Sequence, residues 1–220
     1  MPGESSLAPS ERPPGAPERT GSWLVYRNPW MTVREDRLCR ADGSPGLYGV
    51  VDKPDFALIV PCGRGGYHLV EQYCYPVSGR YWEFPQGARP REDAPHLPEG
   101  NGGSGVREAG RDVPADVVAV ARAELREETG LSAASLTWLG RIRAAHGYSS
   151  QRCHVFLAEG LTRHAPRREA TEADMAQCWV DAGTLDRMIA DGRFVDATSL
   201  AALTLLRGRP RGGDRVDEDG

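Results

Sequence analysis

Three glutamates, Glu124, Glu127 and Glu128, stand at relative positions i, i+3 and i+4 in one short segment of this chain. In an α-helix this spacing places the three side chains on one patch of the surface. Carboxylates held this close repel one another, so a cation is expected to offset their charge. Mg²⁺ prefers oxygen ligands and commonly bridges carboxylates to substrate phosphates, where it assists cleavage of phosphate anhydrides.

A solvated acidic face is the alternative interpretation of the same residues. Arg122 and Arg126 lie on the same predicted helix and relieve the repulsion. Acidic runs of this kind are frequent on surface helices. The spacing alone favours the solvated face and cannot decide for a metal centre.

The element that carries the glutamates is predicted as a helix over residues 114–129. It begins with a proline, which suits the first helical position, and Gly130 suits the residue just past the last turn. Val118, Ala121 and Leu125 form an apolar stripe beside the glutamates. We expect this stripe to pack on a sheet while the carboxylates face a cleft.

Short apolar segments separated by turn residues surround this helix and predict a sheet. Predicted strands cover residues 23–26, 31–39, 47–52, 56–61, 67–73, 136–143, 152–158 and 178–180. Two further helices are predicted over 184–191 and 198–207. The pattern is typical of a mixed α/β domain in which helices cover a sheet.

Three segments have compositions that do not predict a packed structure. Residues 1–21 are rich in Pro, Gly, Ser and charge, and residues 208–220 in Gly and charge, so both are predicted as disordered tails. Residues 88–113 form a long polar insertion, which is typical of a functional or mobile loop. The folded domain is therefore predicted to cover residues 22–207.

Charge and cysteine content narrow the class of protein. The net charge of −4 and the lack of a basic stripe argue against nucleic acid as a partner. No apolar run approaches the roughly 18 residues of a membrane span, and no secretory signal is evident. Five cysteines, an odd number without a C-x-x-C pair, indicate reduced thiols and a cytoplasmic protein.

The glutamate helix follows the segment Trp82-Glu83-Phe84-Pro85-Gln86-Gly87, and together they resemble the signature of the Nudix hydrolases. In that signature a glycine opens a loop that feeds a helix carrying R-E-U-x-E-E-x-G-U, where U is apolar. The resemblance implies an α/β/α sandwich with a mixed central sheet, preceded here by an antiparallel β region at 22–55.

The resemblance also implies roles for individual residues. Glu124, Glu127, Glu128 and the backbone carbonyl of Gln86 would bind Mg²⁺, with Mn²⁺ as a substitute, and Glu127 and Glu128 would be catalytic. Gly87 would be the opening glycine and would lie against the substrate.

The chain departs from the signature at three places. Ala123 stands where the signature has Arg, and Ala115 where it has Glu, although Glu92 lies five residues after Gly87. The insertion over 88–113 splits the signature into two halves.

Further segments resemble the ADP-ribose pyrophosphatase branch of the family, among them Val70-Glu71-Gln72-Tyr73 and His154-Val155-Phe156-Leu157-Ala158. The implied substrate is a nucleoside diphosphate joined to another group, with ADP-ribose first and a nucleotide sugar second. Members of the branch are typically homodimers whose N-terminal strands, here 22–55, reach the partner and clamp the base. Trp23, Tyr26 and Trp30 would then stack on the base, although core positions are the alternative for such aromatics.

The remaining candidates concern the diphosphate and the general base. Cys74 stands where the branch has an arginine, so Arg80 is predicted to contact the substrate, together with Glu83. Gln151 lies near a place where an acid is expected and cannot act as a base. The predicted base is an acid of the loop before Trp179, with Glu172 ahead of Glu169 and Asp174, although solvent-facing loop carboxylates are the alternative interpretation. His146 is a weaker candidate that could assist.

Two classes of function remain open at this point. The first is an enzyme in which water attacks one phosphorus of the substrate and two monophosphates leave. The second is a sensor without catalysis that binds a nucleotide in the same cleft. The complete glutamate set favours the enzyme.

Overall fold

Two units make up the computed structural model, which describes residues 15–88, 106–108, 111–165 and 174–209. The first unit runs to Lys53 and includes Gly147–Ser150, and the second holds the remaining residues. Within the described ranges, no helix is long and apolar enough to cross a membrane.

The first unit is a three-stranded antiparallel sheet of β1 (Glu18–Arg27), β2 (Thr32–Cys39) and β3 (Pro45–Asp52), in that order. Asn28 shapes the turn between β1 and β2, because its Oδ1 accepts the N–H groups of two following residues at 2.9 and 2.8 Å. The predicted strands of this region are confirmed. Strand β1 starts inside the segment predicted as a tail, since its first residues pair with the end of β2.

The second unit contains nine strands and three helices among the described residues. The strands are β4 (Phe56–Gly63), β5 (Gly66–Cys74), β6 (Gly79–Glu83), β7 (Gln86–Gly87), β8 (Val106–Glu108), β9 (Arg111–Val113), β10 (Leu131–Ile142), β11 (Cys153–Arg163) and β12 (Ala176–Asp181). The helices are α1 (Ala115–Thr129), α2 (Ala182–Ala190) and α3 (Ala197–Arg207), and a 3-10 turn covers Tyr75–Val77. Strands β8 and β9 pair with each other at the end of the predicted insertion.

The main sheet has the order β10-β11-β4-β5-β12, with β11 and β4 parallel. Strands β4 and β5 form a hairpin but pair only at Cys62–Tyr67 and Gly63–Gly66. Farther along, β6 pairs with β5 and β7 pairs with β4. The chain from Glu83 to Gly87 therefore crosses from β5 to β4.

The two faces of β4 lie in two separate cores, because alternate residues of a strand point to opposite faces. Leu58 and Val60 belong to the core that contains Leu185 of α2 and Leu203 of α3. Ala57 and Ile59 pack in the core of α1. The sheet is thus covered by helices on both faces, which confirms the predicted mixed α/β sandwich.

Helix α1 keeps the predicted apolar stripe with one change. Ala121 and Leu125 are buried as predicted, but Val117 rather than Val118 completes the buried set. Val118 is only partly buried against the same core. Pro114 is the N-cap residue of the helix and not its first helical residue. Gly130 ends the helix with a φ of 66°.

The left-handed backbone at Gly130 gives a testable prediction. Gly130→Ala places a Cβ in a conformation that costs about 1 kcal/mol, so the free energy of unfolding should fall by that amount. Gly208→Ala is the matched control, because Gly208 ends α3 with a φ of −80°. Urea unfolding measures both, and equal stability of the two variants would contradict the assignment.

Candidate functional site

Helix α1 and strand β7 meet where Glu124 contacts Gly87. A Cβ atom built at Gly87 would overlap the Glu124 carboxylate. Only a glycine therefore allows this carboxylate to rest against the strand backbone. The sequence placed these two residues in the same site, and the structure brings them together.

Glu128 contacts the same strand from the next turn of α1. Its side chain is only 2 % exposed, and its Oε2 accepts the backbone N–H of Gln86 at 3.2 Å. A carboxylate this deeply buried is stabilised by hydrogen bonds from its surroundings. Glu127, on the same face, is half-buried.

The chemistry of the converging groups suits a hard divalent cation. Glu124 and Glu128 supply carboxylate oxygens beside the backbone of Gln86, and Mg²⁺ prefers oxygen ligands. In the described part of the chain, however, no three His, Cys, Asp or Glu side chains are already grouped as a metal site. Two of the three predicted glutamates, Glu124 and Glu128, thus contact β7. Glu127 is assigned to the site from its position on the same face of α1.

The side chain of Gln86 lies in a polar network. Its Nε2 donates to Glu83 at 2.9 Å and to Asp196 at 3.3 Å. Its Oε1 faces the hydroxyl of Thr198 at 3.0 Å. Asp196 is the N-cap of α3, and its side chain accepts the N–H of Ser199 at 2.8 Å.

Glu83 is enclosed by this network. Its side chain is buried, and its two oxygens accept hydrogen bonds from the amides of Gln72 and Gln86. Burial raises the pKa of the Glu83 carboxyl, the charge of Asp196 adds to the rise, and the two amide hydrogen bonds oppose it. Two carboxylates thus share one amide group beside the Gln86 backbone.

Arg80, predicted to contact substrate, is engaged by two acids in this structure. It forms ion pairs with Asp174 at 2.6 Å and with Glu71 at 3.0 Å. The hydrogen bonds that Arg80 donates to these two carboxylates, the one to Asp174 foremost, raise the pKa of Arg80. Asp174, one of the three acids considered as the base, is therefore held by an arginine.

Several other candidates belong to the first unit or fall outside the described residues. Trp30 belongs to the first unit and is 60 % exposed, and Trp23 and Tyr26 of β1 are also exposed. Arg37 lies over the Trp23 ring at 5.3 Å from its centroid. Glu172 and Glu169 fall outside the described residues, as does Glu92.

Sequence reasoning missed Asp196, Thr198 and Ser199 at the start of α3. The available signal was local: Asp196 followed by Ser199 is a helix N-cap pattern. A cap pattern gives no hint that the same residues contact Gln86, which is 110 positions away from Asp196.

A second polar pair, the partly buried Asp55 with the buried His154, also escaped sequence reasoning. The Asp55 carboxylate lies 3.7 Å from Nε2 of His154 and accepts the backbone N–H of Arg152 at 2.8 Å. Burial acts to raise the pKa of Asp55, but the hydrogen bonds and charges of His154 and Arg152 outweigh it. The pKa of Asp55 therefore lies below its ordinary value.

The lowered pKa of Asp55 predicts an acid-dependent contribution to stability. This contribution is present above the unfolded pKa near 3.8 and is lost as the pH falls through the lower folded value. Asp55→Asn removes the titrating group, so its free energy of unfolding should depend less steeply on pH in this acid range. Urea unfolding at a series of pH values measures the slopes, and parallel curves would contradict the prediction.

Residues 18–51 match a family model described as the nucleoside diphosphate sugar hydrolase N-terminal domain. The chain is 29 % identical over 190 residues to the ADP-ribose pyrophosphatase of Mycobacterium tuberculosis (strain ATCC 25618 / H37Rv). That alignment covers 84 % of this chain and 81 % of the relative.

A solved structure resembles the fold. The crystal structure of an ADP compounds hydrolase superimposes with a TM-score of 0.67 at 21 % sequence identity. The match covers 87 % of this chain and 92 % of that chain. At this identity the likeness shows the fold, and it agrees with the architecture predicted from the sequence.

Proposed function

We propose that this chain, which resembles the ADP-ribose pyrophosphatase branch of the Nudix hydrolases in sequence and fold, hydrolyses the diphosphate linkage of a nucleoside diphosphate derivative. The observation that carries the proposal is the convergence of Glu124 and Glu128 on Gln86 and Gly87. The names of the relatives, an ADP-ribose pyrophosphatase and a nucleoside diphosphate sugar hydrolase domain, support this substrate class. ADP-ribose is the first candidate and a nucleotide sugar the second.

Magnesium is the proposed cofactor, with manganese as a substitute. The backbone carbonyl of Gln86 and the carboxylates of Glu124, Glu127 and Glu128 are the proposed ligands. When bound, the metal would neutralise charge that develops on the diphosphate and lower the pKa of a water molecule.

The protein's own residues contribute placement. The Gln86 N–H orients the Glu128 carboxylate. Because Gly87 has no side chain, the Glu124 carboxylate fits against its backbone. Both acids are thereby held before substrate arrives, which lowers the cost of reaching the reactive geometry. Water adds to one phosphorus, the bridging oxygen leaves, and two monophosphates are released. Glu172 remains the proposed base that takes the proton from this water.

The central test removes one carboxylate charge. Glu128→Gln keeps an oxygen that accepts the Gln86 N–H but weakens metal binding. The metal's stabilisation of charge in the transition state is worth several kcal/mol. Turnover should therefore fall roughly 100-fold or more. Glu159→Gln, which changes an exposed glutamate of β11, is the control and should behave as wild type.

The assay is a panel of ADP-ribose and nucleotide sugars with Mg²⁺, in which phosphate is measured after coupling to a phosphatase. Turnover of Glu128→Gln at the wild-type rate would contradict the assigned role. If the wild type released no phosphate from any compound of the panel, the result would instead favour a nucleotide sensor without catalysis.

A homodimer is the proposed assembly, and the first unit supplies the reason. Trp23 and Leu24 are neighbours in β1 and point to opposite faces of its sheet, yet both are exposed. Val25 and Tyr26, at the β-bulge that follows, are exposed as well. A three-stranded sheet with apolar residues on both faces requires a cover. We propose a second copy of this chain as that cover, with Trp30 available to stack on the base.

The dimer predicts a clear change in mass. The wild type should sediment at about twice the 24.0 kDa of the chain, and Leu24→Glu should shift it to monomer because a charge is buried in the interface. Val195→Glu changes an exposed apolar residue of the second unit and should leave the dimer intact. Sedimentation velocity decides, and a monomeric wild type would refute the assembly.

A cytoplasmic location is proposed from the cysteines. All five are free thiols in this structure. Free thiols are typical of a reducing compartment.

A further inference from the structure

The start of α3 contacts Phe84, which follows β6, and Gln86, the first residue of β7, at three points. The buried Ser199 hydroxyl accepts the backbone N–H of Phe84 at 3.0 Å. Asp196 accepts from the Gln86 amide at 3.3 Å, and the Thr198 hydroxyl lies 3.0 Å from the Gln86 oxygen. These contacts join residues more than 100 positions apart in the chain.

The contacts with Glu83, Asp196 and Thr198 leave the Gln86 amide a single favourable orientation. Its two N–H groups point at Glu83 and Asp196, and its oxygen lies 3.0 Å from the Thr198 hydroxyl, which also lies 2.7 Å from the Asp196 carboxylate. A flipped amide would place its oxygen against two carboxylates, which repel it. The side chain of Gln86 is therefore fixed in rotation as well as in position.

Stability alone does not account for this arrangement. Two carboxylates close to one amide repel each other, and Glu83 is only 6 % exposed. Apolar residues would fill the same space at lower cost. Polar groups that are retained despite such a cost commonly position a functional site.

We propose that Asp196 and Thr198 are positioning residues, which hold the Gln86–Gly87 backbone in the place where Glu128 and Glu124 contact it. This inference rests on the proposed function, because it assigns a purpose to the network only if that backbone belongs to a metal centre. Glu83 is the third member of the network and acts through Gln86 in the same way.

The layers of the fold explain why positioning is needed here. Strand β7 has two residues and pairs with β4 at two positions only. On one side its backbone bonds Glu128 of α1, and on the other its side chain bonds the start of α3. Phe84 packs edge-on against Tyr67 and Phe194, at centroid distances of 6.0 and 5.5 Å, but this contact lies two residues before Gln86. The hydrogen bonds of the Gln86 side chain to Glu83 and to the start of α3 are thus the side-chain anchors of β7 itself.

The test uses variants with matched controls on the same elements. Thr198→Val removes the hydroxyl that contacts both Gln86 and Asp196, whereas Thr204→Val removes an exposed α3 hydroxyl that bonds the Leu200 carbonyl. Asp196→Ala removes the α3 cap together with its contact to Gln86. Asp181→Ala removes the equivalent cap of α2, where Asp181 accepts the Thr184 N–H at 2.8 Å.

Calorimetric binding of Mn²⁺ without substrate is the first readout, and turnover at varied Mg²⁺ is the second. Thr198→Val and Asp196→Ala should weaken Mn²⁺ binding about 10- to 100-fold, as loss of a residue that orients a metal ligand typically does. The half-saturating Mg²⁺ concentration should rise in parallel, with KM for the nucleotide little changed. Both controls should match the wild type, and Thr198→Ser, which keeps the hydroxyl, should restore binding.

Each outcome separates this inference from the proposed function. Unchanged Mn²⁺ affinity in Thr198→Val and Asp196→Ala, combined with lost affinity in Glu128→Gln, would overturn the positioning role alone. Equal Mn²⁺ affinity of the wild type and Glu128→Gln would remove the metal centre and this inference with it. Equal losses of Mn²⁺ affinity in Asp196→Ala and Asp181→Ala would mean that Asp196 acts only as a helix cap. That result would also overturn the positioning role.

Discussion

The hydrogen bond from the Gln86 backbone to the buried Glu128 carboxylate ties helix α1 to strand β7, and the candidate site depends on this tie. A buried carboxylate is costly unless hydrogen bonds stabilise it, so the bond constrains where the helix can lie. At Gly87, the next residue of β7, the Glu124 carboxylate occupies the space that a side chain would need. Together they hold two like charges against one short piece of backbone.

The sheet makes this arrangement possible by separating β4 from β5 after a short hairpin. The segment from Glu83 to Gly87 crosses between them and reaches the α1 face with its backbone. Its side chains reach the α2 and α3 face, where Phe84 is buried and Gln86 bonds the start of α3. One five-residue segment therefore contacts both helical layers.

Local patterns in the sequence predicted the glutamate helix, its glycine end and most strands, because periodicity and caps depend on near neighbours. The convergence of Glu124 with Gly87 was expected from the resemblance to a family signature. The Asp196 contact with Gln86 could not be predicted, since it depends on how α3 docks on the sheet. The early start of β1 was missed because its polar residues are held by pairing with β2 and not by burial.

The most direct test of the account is a crystal soaked with Mn²⁺ and a non-hydrolysable analogue of ADP-ribose, examined by anomalous scattering. The account predicts a manganese peak in contact with the carboxylates of Glu124 and Glu128 and the Gln86 carbonyl, with the diphosphate of the analogue beside it. Manganese peaks found only at other positions, with the analogue bound away from α1, would contradict it.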